Sequence, residues 1–114
     1  MALSRDEILA AQDMVPVRVD VPEWGGETFV RPMTPTERLQ WESAQDALAD
    51  SDRIPAFLAR VLCDAGGKRI FEDGDGPALT NHAWHVLYRL WREAIKVNGL
   101  AHEVTGGAAT KDRP

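Results

Sequence analysis

The sequence predicts an α+β fold, in which an N-terminal β-hairpin packs on a small helical bundle with a long C-terminal helix. Three observations lead to this prediction. Valines at every second position between residues 14 and 21 are typical of a strand with one buried face. Apolar residues recur at helical spacing between residues 35 and 63, and between residues 79 and 99 they cover one continuous arc of a helix. A chain of 114 residues has the length of one domain.

The chain opens with a short helix. Ser4 and Glu7 have the spacing of a capping box, which predicts a helix from Ser4 to Gln12. Its apolar side chains gather on one side of the helix, and they are Leu3, Ile8, Leu9 and Ala11. This side therefore favours contact with other apolar groups.

A β-hairpin follows the first helix. The first strand is predicted from Met14 to Val21, the turn over Pro22–Gly26, and the second strand from Glu27 to Arg31. The glycines of the turn tolerate positive φ, and Phe29 lies on one face of the second strand. Two strands alone are marginally stable in water, so the hairpin must lean on helices or on the sheet edge of another chain.

Two helices are predicted in the middle of the chain. The run from Thr34 to Glu37 combines a cap, a proline at the first helical position and a capping box, and it begins a helix that extends to about Leu48. The sequence Asp-Ser-Asp at residues 50–52 is predicted to break that helix and to cap the next one, over Pro55–Cys63.

An acidic loop is predicted from Asp64 to Asp75, with Ile70 and Phe71 anchoring it to the core. Its acidic residues do not have the spacing of an EF-hand, so an ordinary turn is expected rather than a calcium site. Cys63 precedes this loop and is the only cysteine. Because no histidine or cation flanks it, we expect a buried thiol rather than a nucleophile.

The last helix is predicted from Leu79 to Gly99, with Thr80 or Asn81 as its cap and Asn98-Gly99 as its stop. Its apolar residues cover roughly 200° of the helix, about twice the arc that one contact with a small core needs. This excess suggests a helix covered on two sides, by its own domain and by another chain. The domain is expected to comprise residues 1–100, with residues 101–114 as a flexible tail.

The chain carries four tryptophans. Trp41, Trp84 and Trp91 occupy helix positions that are compatible with the core, so packing is expected of them. Trp24 lies in a glycine-flanked hairpin tip, where it is harder to bury. Because Trp is enriched at binding hot spots, Trp24 is a candidate contact residue, and folding back over the sheet is the alternative.

Composition and charge exclude several classes of protein. The net charge is -5, with net -6 in residues 1–57 and net +1 in residues 58–114. An acidic chain without a basic cluster is a poor nucleic-acid binder. No apolar run approaches the roughly 20 residues of a membrane span, and the first residues lack the basic start of a signal peptide. We therefore expect a cytosolic protein with no nucleic-acid or membrane partner.

No catalytic constellation stands out in the sequence. It lacks a GxSxG elbow, a glycine-rich phosphate loop and a paired-carboxylate motif. His82 and His85 have a spacing that can chelate a metal, but no carboxylate or cysteine lies in register with them, and Arg89 and Arg92 would repel a dication. We expect a protein that is not an enzyme and that binds no metal and no cofactor.

Several local motifs, taken in order, carry a resemblance to a known family. They are the opening LSRDEILAAQD, the turn VPEWGG before a second strand, RPMTPTER at a helix start, the GGKRIF loop and the VNGL helix stop. Together they span residues 3–100 and resemble the tail assembly chaperones of long-tailed bacteriophages and their prophages. These motifs are structural rather than catalytic.

The resemblance implies a small protein, made in the cytoplasm of the infected host, that binds the tape measure protein, keeps it soluble and helps tail-tube subunits polymerise around it. It also implies homo-oligomers and absence from the mature virion. A small structural tail or head-tail protein retained in the particle, and a non-phage interaction adaptor, are the alternatives. The candidate partner contacts are Trp24, Phe29, Arg89, Arg92 and Lys96, and the last three are expected to meet the acidic half of a neighbouring copy.

Overall fold

The computed structural model describes residues 1–100 and has the α+β fold that the sequence predicts. In chain order its elements are α1 (Arg5–Ala10), β1 (Val17–Val21), β2 (Gly26–Val30), α2 (Pro35–Gln45), α3 (Asp50–Val61), β3 (Leu62–Cys63), α4 (Gly76–Leu79) and α5 (Trp84–Val97). The flexible tail predicted for residues 101–114 lies outside the described residues. None of the helices in residues 1–100 is long and apolar enough to cross a membrane.

Strands β1 and β2 form the predicted hairpin, paired antiparallel with Val17 opposite Val30. Its turn is a short 3₁₀ helix over Pro22–Trp24, which ends at Gly25 with a φ of 76°, a conformation that favours glycine. The first strand begins three residues later than predicted. Pro16 explains this start, because it has no N–H to contribute to the strand ladder.

A third strand, β3, was not predicted. Leu62 pairs with Val30 and Cys63 pairs with Phe29, so β2 is the central strand of an antiparallel sheet in the order β1-β2-β3. The predicted helix to Cys63 is therefore too long, and α3 ends at Val61. Cys63 is buried, as predicted, and its burial raises the pKa of its thiol.

The capping box of α2 is confirmed. The Glu37 N–H donates to the Thr34 hydroxyl at 3.2 Å, and the Thr34 N–H donates to the Glu37 carboxylate at 2.9 Å. The predicted end of this helix at Leu48 is wrong, since α2 stops at Gln45.

The predicted break at residues 50–52 is also wrong, because these residues form the first turn of α3, with Pro55 inside the helix. Aspartates are favoured in the first turn by the helix dipole, so the same residues that suit a cap also suit this position. Of the two predicted loop anchors, Phe71 packs against the core, whereas Ile70 is exposed.

The predicted start of the last helix at Leu79 is five residues too early. Leu79 closes the short α4, whose end is held by the Thr80 hydroxyl donating to the Pro77 carbonyl at 2.7 Å. Helix α5 begins at Trp84 with Ala83 as its N-cap, so neither of the predicted capping side chains acts there.

The predicted stop of α5 is confirmed as a Schellman motif. Gly99 has a φ of 69°, and the N–H groups of Gly99 and Leu100 bond back to carbonyls of the last turn. The Asn98 side chain accepts from the Met33 N–H at 2.6 Å and donates to the Arg31 carbonyl at 3.3 Å. These bonds tie the end of α5 to the segment between β2 and α2.

The core lies between the sheet and helices α3 and α5. Its fully buried side chains include Val21, Val30, Phe57, Leu58, Val61, Leu62, Val86 and Leu90. Trp41 of α2 packs on one side of this core, and its ring centroid lies 5.3 Å from that of Phe57. The hairpin thus leans on helices of its own chain, which is one of the two arrangements that the sequence left open.

Candidate protein-interaction surface

The tip of the hairpin is fastened to α5 by an ion pair. The Arg89 guanidinium donates to both oxygens of the Glu23 carboxylate, at 2.8 and 2.6 Å, and His85 Nε2 lies 3.6 Å from that carboxylate. The hydrogen bond from Arg89 is the main cause that lowers the pKa of Glu23 to about 2, from its ordinary value of 4.5. Arg89 is therefore paired with an acidic residue of its own chain.

Trp24 lies beside this ion pair. Its ring stacks at a tilt on His82, with the centroids 4.6 Å apart, and the residue is 39% exposed. Trp24 is thus held in place by its own chain and still presents part of its ring to a partner. His82 and His85 both face the hairpin tip, and within residues 1–100 no group of three or more His, Cys, Asp or Glu side chains is arranged to hold a metal ion.

A row of aromatic side chains, here called the aromatic stripe, runs along α5. It consists of Trp84, Tyr88 and Trp91, with successive ring centroids 5.4 and 5.6 Å apart. Trp84 is 64% exposed and Tyr88 is also exposed, whereas Trp91 is half-buried against the core. The prediction that Trp84 packs in the core is wrong, because the core covers α5 only along the side that carries Leu87 and Leu90.

Basic residues border the aromatic stripe. On the helical surface His85 and Arg92 lie next to it, and both are exposed. Lys96 is exposed and contacts Glu93 of the same helix at 3.2 Å. The remaining candidate contact, Phe29, is half-buried in the central strand, opposite Arg18 of β1. The structure therefore gathers Trp24, Arg89, Arg92 and Lys96 around α5 and places Phe29 in the sheet.

Helix α1 stands apart from this body. All residues from Met1 to Val15 are exposed, and α1 contains no buried residue. The predicted capping box is present, with the Glu7 N–H donating to the Ser4 hydroxyl at 3.1 Å and the Ser4 N–H donating to the Glu7 carboxylate at 2.8 Å. Helix α1 is thus shaped by local bonds while its apolar side, with Leu9 67% exposed, contacts no core.

A groove of about 320 Å³ lies between α2, α3 and α5, on the other side of Trp91. Trp41, Phe57 and Ile95 form its apolar lining, and Arg38 and Arg53 add positive charge. This lining contains no carboxylate, histidine, serine or cysteine. Its apolar side chains suit the groove to bind an apolar group.

No protein-family model matches the chain, and no curated protein matches it in sequence. Among solved structures, the tail assembly chaperone of bacteriophage HK97 matches it with a TM-score of 0.58. The match covers 81% of this chain and 90% of the HK97 chain, at 20% sequence identity. This protein has the fold of the HK97 tail assembly chaperone. The fold that the sequence resemblance implies is therefore confirmed.

Sequence reasoning predicted more apolar surface on the last helix than its own core needs, but it did not identify the side chains that expose this surface. Trp84 and Tyr88 carry most of the uncovered aromatic surface, yet neither was among the candidate contacts. The width of the apolar arc of α5 indicates that such residues exist, because it exceeds what one small core can cover. Periodicity alone does not say which edge of that arc remains uncovered.

Proposed function

We propose that this protein is a phage tail assembly chaperone that binds the tape measure protein in the host cytoplasm, keeps that long helical protein soluble and promotes assembly of tail-tube subunits around it. The observation that carries the proposal is the fold shared with the HK97 tail assembly chaperone over nine-tenths of that chain. The structural motifs of the sequence point to the same class of protein. The proposal includes homo-oligomers and absence from the mature virion.

The surface around α5 suits a helical client. A helix that docks through its apolar face offers side chains at positions i, i+3, i+4 and i+7, and a complementary surface needs apolar anchors along a line. The aromatic stripe provides such a line, with Trp84 and Tyr88 exposed, and Trp24 adds a third exposed ring at the hairpin tip. Clustered exposed apolar groups on a soluble protein mark interaction sites.

The five candidate contacts take different roles in this proposal. Trp24 contacts the client directly, while Arg92 and Lys96 lie at the rim, where charges set orientation more than affinity. Arg89 is a positioning residue, because its bonds to Glu23 hold the hairpin tip against α5. Phe29 supports the sheet beneath the hairpin tip.

Co-expression with the tape measure protein tests the proposal. The soluble fraction of the tape measure protein should rise with the wild-type chain, and purified complexes should lose roughly thirtyfold in affinity with Trp24→Ala or Trp84→Ala, as expected for hot-spot truncations. Leu39→Ala is the matched control, because Leu39 is an exposed apolar residue of α2 that is not part of this surface. Equal solubility of the tape measure protein with and without this chain would remove the proposal.

The alternative functions give different results in the same system. A structural tail or head-tail protein would be found by mass spectrometry in purified particles, whereas the chaperone should be present in infected cells and absent from particles. A non-phage adaptor would leave the tape measure protein insoluble and would form no complex with it.

A further inference from the structure

The starting observation is an apolar helix side without a partner. Leu3, Ile8 and Leu9 are all exposed on one side of α1. Leu3 and Ile8 stand at the two positions of a hydrophobic staple, directly before the cap and one turn into the helix. An isolated helix of six residues is unstable in water, so a capped helix that buries nothing in its own chain needs cover from elsewhere.

Helix α5 also has an apolar side that the core leaves exposed to solvent. The aromatic stripe exposes Trp84 and Tyr88 in a line along α5, at a spacing that a second helix can fill. Aromatic side chains of this size dominate the energetics of interfaces when they become buried. The stripe and the apolar side of α1 are two exposed apolar surfaces of the same chain, and α1 has no buried residue.

Charge favours pairing of these two surfaces. Residues 1–16, the N-terminal arm, carry one basic and three acidic side chains, the acidic ones being Asp6, Glu7 and Asp13. Helix α5 carries three basic side chains and one acidic side chain. Within the chain Arg89 binds Glu23 and Lys96 contacts Glu93, so the positive charge next to the stripe is that of Arg92. Opposite net charges on two apolar surfaces steer them together and suppress other pairings.

We propose that, in the protein free of client, α1 of one copy docks on the aromatic stripe of a second copy, with Leu3, Ile8 and Leu9 covering Trp84 and Tyr88. A reciprocal exchange of arms closes a dimer, while a one-way exchange extends an open chain of copies. The proposal names the interface between copies and does not depend on the identity of any client.

Sedimentation of the full chain tests the interface. The wild-type protein should associate as its concentration rises, and more weakly at high salt because the charge attraction is screened. Leu9→Asp and Trp84→Ala should each weaken association roughly thirtyfold, as expected for loss of an interface anchor. Leu39→Asp is the matched control, since Leu39 is 65% exposed on a helix, close to the value for Leu9, and should associate like the wild type.

Mixing the two defective chains separates this interface from any other. A Leu9→Asp chain keeps an intact stripe and a Trp84→Ala chain keeps an intact arm, so an equal mixture should form heterodimers that neither chain forms with itself. Docking of α1 on the stripe of its own chain would give no such recovery.

Three results would overturn the proposal. They are a monomeric wild-type protein at every concentration, undiminished association of Leu9→Asp, and a mixture that associates no better than its components. Circular dichroism melts of each variant establish that the fold is intact, which is expected because the substituted side chains are exposed. If the protein is a monomer and still solubilises the tape measure protein, this proposal fails while the proposed function stands.

Discussion

Trp41 is the buried one among the four tryptophans, all of which lie in the described residues. It is 6% exposed, its ring packs on Phe57, and the Arg60 guanidinium lies 5.2 Å from the ring centroid. We expect Trp41→Ala to lower the free energy of unfolding by about 3 to 5 kcal/mol, a large part of the stability of a small domain. Trp84→Ala is the matched control and should leave the thermal midpoint nearly unchanged. Equal midpoints for the two variants would contradict this prediction.

The lowered pKa of Glu23 predicts that the free energy of unfolding depends on pH. Its pKa in the folded chain, about 2, lies below its ordinary value of 4.5, because Arg89 bonds to the charged form. The stabilising contribution is therefore complete above pH 4.5 and is lost as the pH falls from 4.5 to about 2. Urea unfolding at steps of pH should show that the difference in stability between wild type and Glu23→Gln shrinks across this window.

The quantity to follow is the difference in unfolding free energy between the wild type and Glu23→Gln, because the pKa values of other carboxyl groups are also lowered in the folded chain. Bonds with Ser4 lower the pKa of Glu7, and a bond from Arg69 lowers the pKa of Asp73. Burial acts to raise the pKa of Glu37, but bonds with Thr34 and Arg31 outweigh it and lower the pKa. All three groups contribute equally to wild type and variant, so a difference that stays constant with pH would refute the role of Glu23.

The sequence predicts which residues sit on one side of a helix but not what covers that side. Trp41 and Trp84 both fit a core position by periodicity, and only Trp41 is buried. Likewise, nothing local in the sequence pairs Glu23 with Arg89, which are 66 residues apart. Such contacts depend on how the hairpin is placed on α5, and that placement is a property of the whole fold.

At the scale of elements, the close approach of α4 to α3 depends on a glycine. A Cβ built on Gly76 would lie 2.9 Å from Ala56 Cα and 3.2 Å from Ala56 N, both backbone atoms that cannot move aside cheaply. We expect Gly76→Ala to destabilise the chain by about 1 to 3 kcal/mol through overpacking. Gly74→Ala is the matched control two residues away, since a Cβ there meets no atom within 4 Å. Thermal midpoints of the two variants check the prediction.

Helix α1 is held by its cap rather than by packing. Ser4→Ala removes the hydroxyl that accepts from the Glu7 N–H, and loss of such a cap costs about 1 kcal/mol of helix stability. Because α1 buries nothing in its own chain, we expect the helical chemical shifts of residues 5–10 to fade in dilute samples while the thermal midpoint stays the same. A lower midpoint would show that α1 contributes to the body of the fold.

Elements with strong local signals were predicted well, and elements decided by distant contacts were not. The capping boxes before α1 and α2 and the glycine stop of α5 are local, and the structure confirms all three. The apolar pattern runs on through Leu79, so periodicity merged α4 with α5. Strand β3 exists because two residues pair with β2, and two residues are too few to show a strand pattern.

At the scale of the whole molecule, the last three described residues tie α5 to the rest of the fold. Leu100 is buried, and Asn98 bonds to the Met33 N–H and the Arg31 carbonyl. We expect a chain cut after residue 100 to keep the thermal midpoint of the full chain, and a chain cut after residue 97 to lose several degrees, because it lacks these bonds and this burial. Equal midpoints for the two cut chains would contradict the limit predicted for the domain.

The charged residues of the acidic N-terminal half fall into two groups in the molecule, one paired within the chain and one exposed. Part of it is used within one chain, where Glu23 of the acidic half binds Arg89 of the basic half. The N-terminal arm keeps its acidic side chains exposed, which leaves them to act between copies. The sequence alone left both arrangements open, because net charge per half does not say which residues meet.

The pairing of the first hairpin with the last helix also orders events during translation. Strands β1 and β2 leave the ribosome well before α5, which supplies the helix that packs on them. Until α5 emerges, the buried faces of Val19 and Val21 have no cover, and the nascent chain stays open to other apolar segments made nearby. The fold of residues 1–100 is therefore completed only after α5 has emerged, when Asn98 can bond to Arg31 and Met33.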